Sequence, residues 1–310
     1  MTLFSPTWVR HASGELRHLG HWGLGTAFRP CYSLVQPRAG SLLKFQGGTT
    51  LKTDDGILDE ALQFAESTAR KAGAALMDFF GRSDLEISSK STRVDLVTEA
   101  DRRAEQIIMD EVKRCFPGHG ILSEEAAPHS MESEWRWVVD PLDGTTNFAQ
   151  GFHLFCISIA LQHRGKSMAG VVYVPVLGQM FSAGAGKGTF VDGRRVFVSQ
   201  KNSLYQCVLA TGFPYDRAEH QENNAAYFAR MVPLVRGLRR TGSAAYDLSL
   251  VAAGVFDGFW ELNLNLWDVA AGTLLIEEAG GEVQYLTEKR GISLIAGNKD
   301  ICGLIRETLF

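Results

Sequence analysis

A mixed α/β fold is predicted by three features of the chain. Short strand-like runs follow one another between turn signals over 154–199, the pattern of an antiparallel meander. Helix-like and strand-like segments then alternate to the C-terminus, which sets the chain apart from a plain doubly wound sheet. Of 310 residues, 45% are hydrophobic and 21% charged, enough to bury a large core in one large domain or two packed halves. A net charge of −4 excludes a strongly basic nucleic-acid-binding protein as the default. No run of about 18 apolar residues exists, so no membrane span is expected. The five cysteines stand singly, without a Cys-x-x-Cys, which fits reduced thiols in a cytosolic protein and not a disulfide frame or zinc site.

Residues 1–53 differ from the rest. Arg10, Arg17, Arg29, Arg38, Lys44 and Lys52 face one acid, Glu15, and no apolar period is sustained. The segment is expected to be an extension outside the fold, with an organelle transit peptide as the functional reading of its charge bias. Residues 54–310 are expected to form a single catalytic domain.

Its first helix is predicted over 54–80. Leu58, Leu62, Ala65, Ala69, Ala72 and Leu76 form the apolar stripe, and Gly81 ends it. A second helix follows Thr98, with Ala104, Ile107, Ile108 and Val112 on one face and Pro117-Gly118 as its stop. A short buried strand is predicted over 136–140, ended by Pro141. The meander strands are placed at 155–161, 170–174, 179–183 and 195–199. The stretch Gly184-Ala-Gly-Lys-Gly-Thr189 imitates a phosphate loop. Gly188 stands where Ser or Thr is needed and no helix follows, so a hairpin turn is expected. The last third predicts a helix at 244–253, a strand at 258–262, a helix at 267–279, strands at 282–285 and 292–296, and a terminal helix after Asn298.

The chemistry concentrates in Trp137-Val-Val-Asp-Pro-Leu-Asp-Gly-Thr-Thr-Asn-Phe148. A hydrophobic strand delivers Asp140, Gly144 permits a tight turn, and Asp143 can converge with Asp140 across it. Gly144, Thr145 and Thr146 then offer backbone N–H groups suited to phosphate. Carboxylate oxygens without neighbouring His or Cys suit Mg²⁺. Glu124 follows the apolar pair Ile121-Leu122, and Asp268 opens the apolar run 269–276. Each acid has a plainer reading: Asp268 as a helix cap, and Asp101 as the partner of Thr98 in a capping box. Together without a cation they would repel and be costly to bury. The Asp-x-x-Asp spacing disfavours the Asp-x-Asp phospho-aspartate route.

These motifs resemble the inositol monophosphatase family of lithium-sensitive, Mg²⁺-dependent phosphatases, especially its bacterial branch. The resemblance spans about residues 56–305 and rests on Asp140-Pro-Leu-Asp-Gly-Thr-Thr-Asn-Phe and Trp267-Asp-Val-Ala-Ala-Gly, with Ser123-Glu-Glu, Asp95-Leu-Val-Thr-Glu-Ala-Asp101 and Arg239-Arg-Thr-Gly-Ser-Ala-Ala245 in support. It implies a layered α-β-α-β-α sandwich, a homodimer, and two to three Mg²⁺ per site. Glu124, Asp140 and the Leu142 carbonyl would hold the first ion, and Asp140, Asp143 and Asp268 the second. A third, weaker ion would lean on Glu124. Thr145 with Asp101 would orient and deprotonate the attacking water. Gly144, Thr145 and Thr146 would hold the phosphoryl group. Lys90 lies in the segment that closes over the site in the family, and Ser243, Ala244 and Glu261 match substrate-contact positions.

The resemblance further implies a cytoplasmic inositol-1-monophosphatase working by metal-activated water without a phosphoenzyme. Its substrate would be a small phosphorylated polyol, with neither a membrane nor a directly bound nucleic acid as partner. The alternatives are a phosphatase for fructose 1,6-bisphosphate, histidinol phosphate or 3′-phosphoadenosine 5′-phosphate, or a regulatory binding protein of the transcription machinery. Asn265 is a departure: relatives carry His or Arg there, which leaves the substrate's identity open.

Overall fold

Two sheets form because apolar residues alternate along the strands and each sheet is covered on both faces. The computed structural model describes residues 54–82, 87–89, 96–130, 132–286 and 290–310; the expected extension over 1–53 lies outside them. The chain opens with helix α1 (Asp54–Phe79), a small hairpin of β1 (Ile87–Ser89) and β2 (Leu96–Thr98), and helix α2 (Glu99–Cys115). A seven-stranded sheet follows, made of β3 (Gly120–Ser123), β4 (Trp135–Asp143), β5 (Cys156–His163), β6 (Lys166–Val174), β7 (Gln179–Gly184), β8 (Gly188–Val191) and β9 (Arg194–Val196), with the short helix α3 (Thr145–Ala149) between β4 and β5. These strands lie in sequence order. All pairs are antiparallel except β3–β4.

The second sheet has the order β11-β10-β12-β14-β13. Its strands are β10 (Val208–Thr211), β11 (Gly237–Arg239), β12 (Gly258–Leu264), β13 (Glu282–Tyr285) and β14 (Ile292–Gly297). Helices α4 (Ala225–Met231), α5 (Ala244–Ala252), α6 (Leu266–Glu278) and α7 (Lys299–Leu309) complete the fold.

Strand alternation sorts the side chains into layers. Trp137, Val139, Ile157, Ile159 and Val171 face α1 and α2. Val138, Ala160 and Val172 point the other way, onto α5 and α6, which meet Ala210, Phe259 and Leu294 of the second sheet. Leu209, Trp260 and Ile295 leave that sheet's far face and pack on α7. The result is the five-layer α-β-α-β-α order that the motifs imply.

Both long amphipathic helices lie where the stripes place them, and 185–187 is a hairpin turn between β7 and β8. Four differences stand out. The strand expected to stop at Pro141 runs on to Asp143. The strand expected over 195–199 ends at Val196, where the chain leaves the sheet. The meander gains β8, and β1, β2, β3, α3, β10, α4 and β11 were not foreseen, all of them short segments.

Candidate active site

The end of β4 explains why two acids three residues apart can share one site. Plain alternation would send them to opposite faces. The β4–β5 ladder pairs Asp140 with Ser158 and Asp143 with Cys156, so Pro141 and Leu142 together oppose the single residue Ile157. This bulge shifts the alternation by one residue and brings Asp143 back to the side of Asp140. Pro141 is tolerated because β3 pairs with β4 only as far as Val139, so its missing N–H breaks no ladder bond. The Leu142 N–H instead turns back onto Asp140 Oδ1 at 3.0 Å. Gly144 follows with φ +99°, and a Cβ there would lie 3.1 Å from the Leu154 carbonyl oxygen.

Thr145 opens α3 with its hydroxyl 3.1 Å from both Asp101 Oδ1 and the Leu142 carbonyl oxygen. Asp101 is fully buried and serves two partners at once. Its Oδ2 accepts from the Thr98 N–H at 2.8 Å, which with the Asp101 N–H on the Thr98 hydroxyl oxygen at 3.4 Å makes the capping box of α2, and it also accepts from the Thr98 hydroxyl at 2.5 Å. Its Oδ1 faces Thr145. The cap and the Thr145 contact are thus properties of one carboxylate.

Glu124 sits just past β3, its N–H on the Val139 carbonyl, and its side chain meets the Asp140 carboxyl. Burial pushes Asp140 well above the usual carboxylate range, and repulsion from Glu124, Asp143 and Asp268 adds to the push. Asp268 is raised by desolvation of its carboxylate and by repulsion from Asp143 and Glu124, although the residue as a whole is only half-buried. Asp143 is also raised by burial, but only to about 6, because donors from Ser243, Ala245 and Ala244 favour its ionised form. Glu261, in the wall of the cleft, is pushed up to about 8 by burial and by Asp247.

Several carboxylates commit one oxygen to a local donor. Asp268 Oδ2 takes the Asn265 N–H at 2.7 Å, Asp143 Oδ2 takes Ser243 and Ala245, and Asp140 Oδ1 takes Leu142. Among the described residues no three Asp, Glu, His or Cys side chains are drawn together as a finished cation cage. The donor chemistry still fits a hard divalent cation. Glu124, Asp140, Asp143 and Asp268 repel one another, all are oxygen donors, and a bound cation would offset that repulsion.

The adjoining cleft is lined by Asp143, Ser243, Ala244, Glu261, Asn265 and Asp268, all but Asn265 named as site residues by the sequence. Thr146 stands exposed beside Gly144. Lys90 lies outside the described residues. Sequence reasoning missed several contributors. Arg240 and Asp247 also line the cleft. Gly212 approaches Glu261 so closely that a Cβ would fall 2.0 Å from its carboxylate. Asn147 donates to the Leu154 and Thr241 carbonyls, tying α3 to the 241–243 loop. Glu105 accepts from Ser123 at 2.5 Å and from the Ala126 N–H at 2.8 Å, and so holds the loop that carries Glu124. Its signal was available: an acid four residues after Asp101, flanking an apolar stripe.

Known proteins share the sequence pattern and the fold. The profile of the Inositol monophosphatase family matches residues 57–305. An inositol-1-monophosphatase of Mesorhizobium japonicum is 43% identical over 239 residues, covering 75% of this chain and 90% of that protein. A protein of Pseudomonas aeruginosa named Nus factor SuhB is 39% identical over 246 residues, covering 76% and 91%. The solved structure of an inositol monophosphatase from Anabaena superposes with a TM-score of 0.74 at 37% identity, over 82% of this chain and 96% of that one.

Proposed function

This chain belongs to the inositol monophosphatase family of phosphoric monoester hydrolases, and we propose that its substrate is a small phosphorylated polyol, inositol 1-phosphate first among them. The observation that carries this reading is the meeting of Asp140, Asp143, Asp268 and Glu124 beside the Thr145–Asp101 pair. The family is generally Mg²⁺-dependent. Here Glu124, Asp140 and the Leu142 carbonyl would hold one ion, and Asp140, Asp143 and Asp268 a second; a third, weaker ion would lean on Glu124. When bound, Mg²⁺ supplies Lewis acidity, making water a better nucleophile near neutral pH and offsetting charge on the phosphate and leaving oxygen.

The chain's own residues do the rest. Thr145 donates its hydroxyl proton to Asp101, which leaves its oxygen lone pairs to accept from, aim and help deprotonate the attacking water. The N–H groups of Gly144, Thr145 and Thr146 take the phosphoryl oxygens. Glu261, with Ser243 and Ala244, would bound the polyol side of the cleft. Water attacks phosphorus directly, so no carboxylate need form a phosphoenzyme.

Residues 54–310 would be one catalytic domain and 1–53 dispensable for it. A cytoplasmic homodimer completes the reading. No helix among the described residues is long and apolar enough to cross a membrane. A second reading, a regulatory partner of the transcription machinery, draws support from relatives named Nus factor SuhB. The carboxylate set argues that catalysis is kept alongside any such role. The test is phosphate release over a panel of monoesters with and without Mg²⁺. Inositol 1-phosphate should give the highest kcat/KM, ahead of fructose 1,6-bisphosphate, histidinol phosphate and 3′-phosphoadenosine 5′-phosphate. A different best substrate would replace the proposed one.

A further inference from the structure

Three groups from separate parts of the chain gather on one oxygen of Asp143. Its Oδ2 accepts the Ser243 hydroxyl at 2.7 Å and the Ala245 N–H at 2.7 Å, and the Cys156 thiol lies 3.7 Å away. The Cys156 sulfur also lies 3.4 Å from the Ser243 oxygen, so the donors touch one another. Cys156 is fully buried and Ser243 is 2% exposed.

The elements explain the arrangement. Cys156 is the cross-strand partner of Asp143 where the β4–β5 ladder resumes after the bulge. Ser243 is the N-cap residue of the nine-residue helix α5, yet its side chain makes no capping bond. A helix start leaves its first N–H groups without intrahelical acceptors. Asp143, about 100 residues earlier in the chain, fills that role through Ala245, while the freed Ser243 hydroxyl turns onto the same carboxylate oxygen. A carboxylate oxygen offers about two lone-pair directions. The Ser243 hydroxyl and the Ala245 N–H therefore fill Oδ2, with the Cys156 thiol packed against it.

We infer that Ser243 and Cys156 are positioning residues for Asp143: they hold its carboxylate by Oδ2 and so fix how it faces a divalent cation. This reassigns Ser243 from the polyol to the metal side of the site, and it rests on the carboxylate reading above. The locked carboxylate loses no rotamer freedom when the cation arrives, so the cation binds more tightly than to a free side chain.

The test is calorimetric titration of Mn²⁺ and Mg²⁺ into the substrate-free, metal-stripped full chain, with kinetics at saturating Mg²⁺ in parallel. Ser243→Ala should weaken cation binding by about 10- to 100-fold, the range for loss of an outer partner of a metal ligand. Ser243→Thr, which keeps the hydroxyl, should restore cation affinity, and Cys156→Ala should weaken it by a smaller factor. Unchanged cation affinity in Ser243→Ala with a raised KM would overturn the inference and leave Ser243 as a substrate contact. Wild-type protein that takes up neither cation would instead overturn the carboxylate reading beneath it.

Discussion

Asp140 shows how a single residue can oppose stability and serve chemistry. It is 1% exposed and faces three other carboxylates, so its ionised form is disfavoured in the folded chain. Asp140→Asn removes that repulsion while keeping an oxygen for the Leu142 N–H. The variant should unfold in EDTA at a temperature no lower than wild type, yet lose phosphatase activity by several orders of magnitude. A large drop in melting temperature would mean that the carboxylate is structural.

Asp101 divides its two oxygens between a cap and Thr145, so its variants should report both roles. Losing the cap costs about 1 kcal/mol. Losing the proton acceptor behind Thr145 should cost roughly 10²- to 10⁴-fold in kcat. If the pair acts as one unit, Thr145→Ala with Asp101→Asn will be little worse than either alone. Kinetics of both single variants and the double at saturating Mg²⁺ decide this. Near-normal turnover in Asp101→Asn would leave the residue as a cap only.

At the scale of elements, what was legible in the sequence was local. The stripes of α1 and α2 and the hairpin at 185–187 follow from residues near one another in the chain. The continuation of β4 past Pro141 was not legible, because the bulge is defined by the pairing with β5, which the motif does not encode. The Ser243–Asp143–Cys156 contact was hidden for the same reason: Ser243 stands 100 residues from Asp143.

Helix packing carries a further test. Gly272 on α6 faces α5, where an added Cβ would lie 2.7 Å from Leu248 Cβ. Leu248 cannot swing away at its own Cβ, so Gly272→Ala must push the helices apart. We expect a loss of about 1–3 kcal/mol, measured by denaturant unfolding, with KM nearly unchanged. A neutral result would mean that the α5–α6 interface yields more readily than its contacts suggest.

For the whole molecule, the buried acids link stability to pH. The folded chain raises Asp143 to about 6 and Glu261 to about 8, whereas unfolded carboxylates titrate near 4. Between those values the folded state binds more protons than the unfolded one. Stability contributed by these groups is therefore complete below about pH 4 and is lost as pH rises toward about 8. In EDTA the melting temperature should fall over this range, and Mg²⁺ should restore more stability at pH 8 than at about pH 5.5. Equal stabilisation at both would show that the cation does not meet these carboxylates. A chain starting at Thr53 should match the full chain in solubility and turnover, since the family match begins at residue 57. Loss of folding on truncation would place 1–53 within the fold.

The central claim, a phosphate monoesterase whose buried carboxylates work through Mg²⁺, meets its most direct test in one assay. Phosphate release from inositol 1-phosphate is followed on metal-stripped full-length protein as Mg²⁺ is titrated in, then withdrawn with excess EDTA. The account predicts turnover that rises with Mg²⁺ from a negligible baseline and vanishes on chelation. Undiminished turnover in excess EDTA would contradict it.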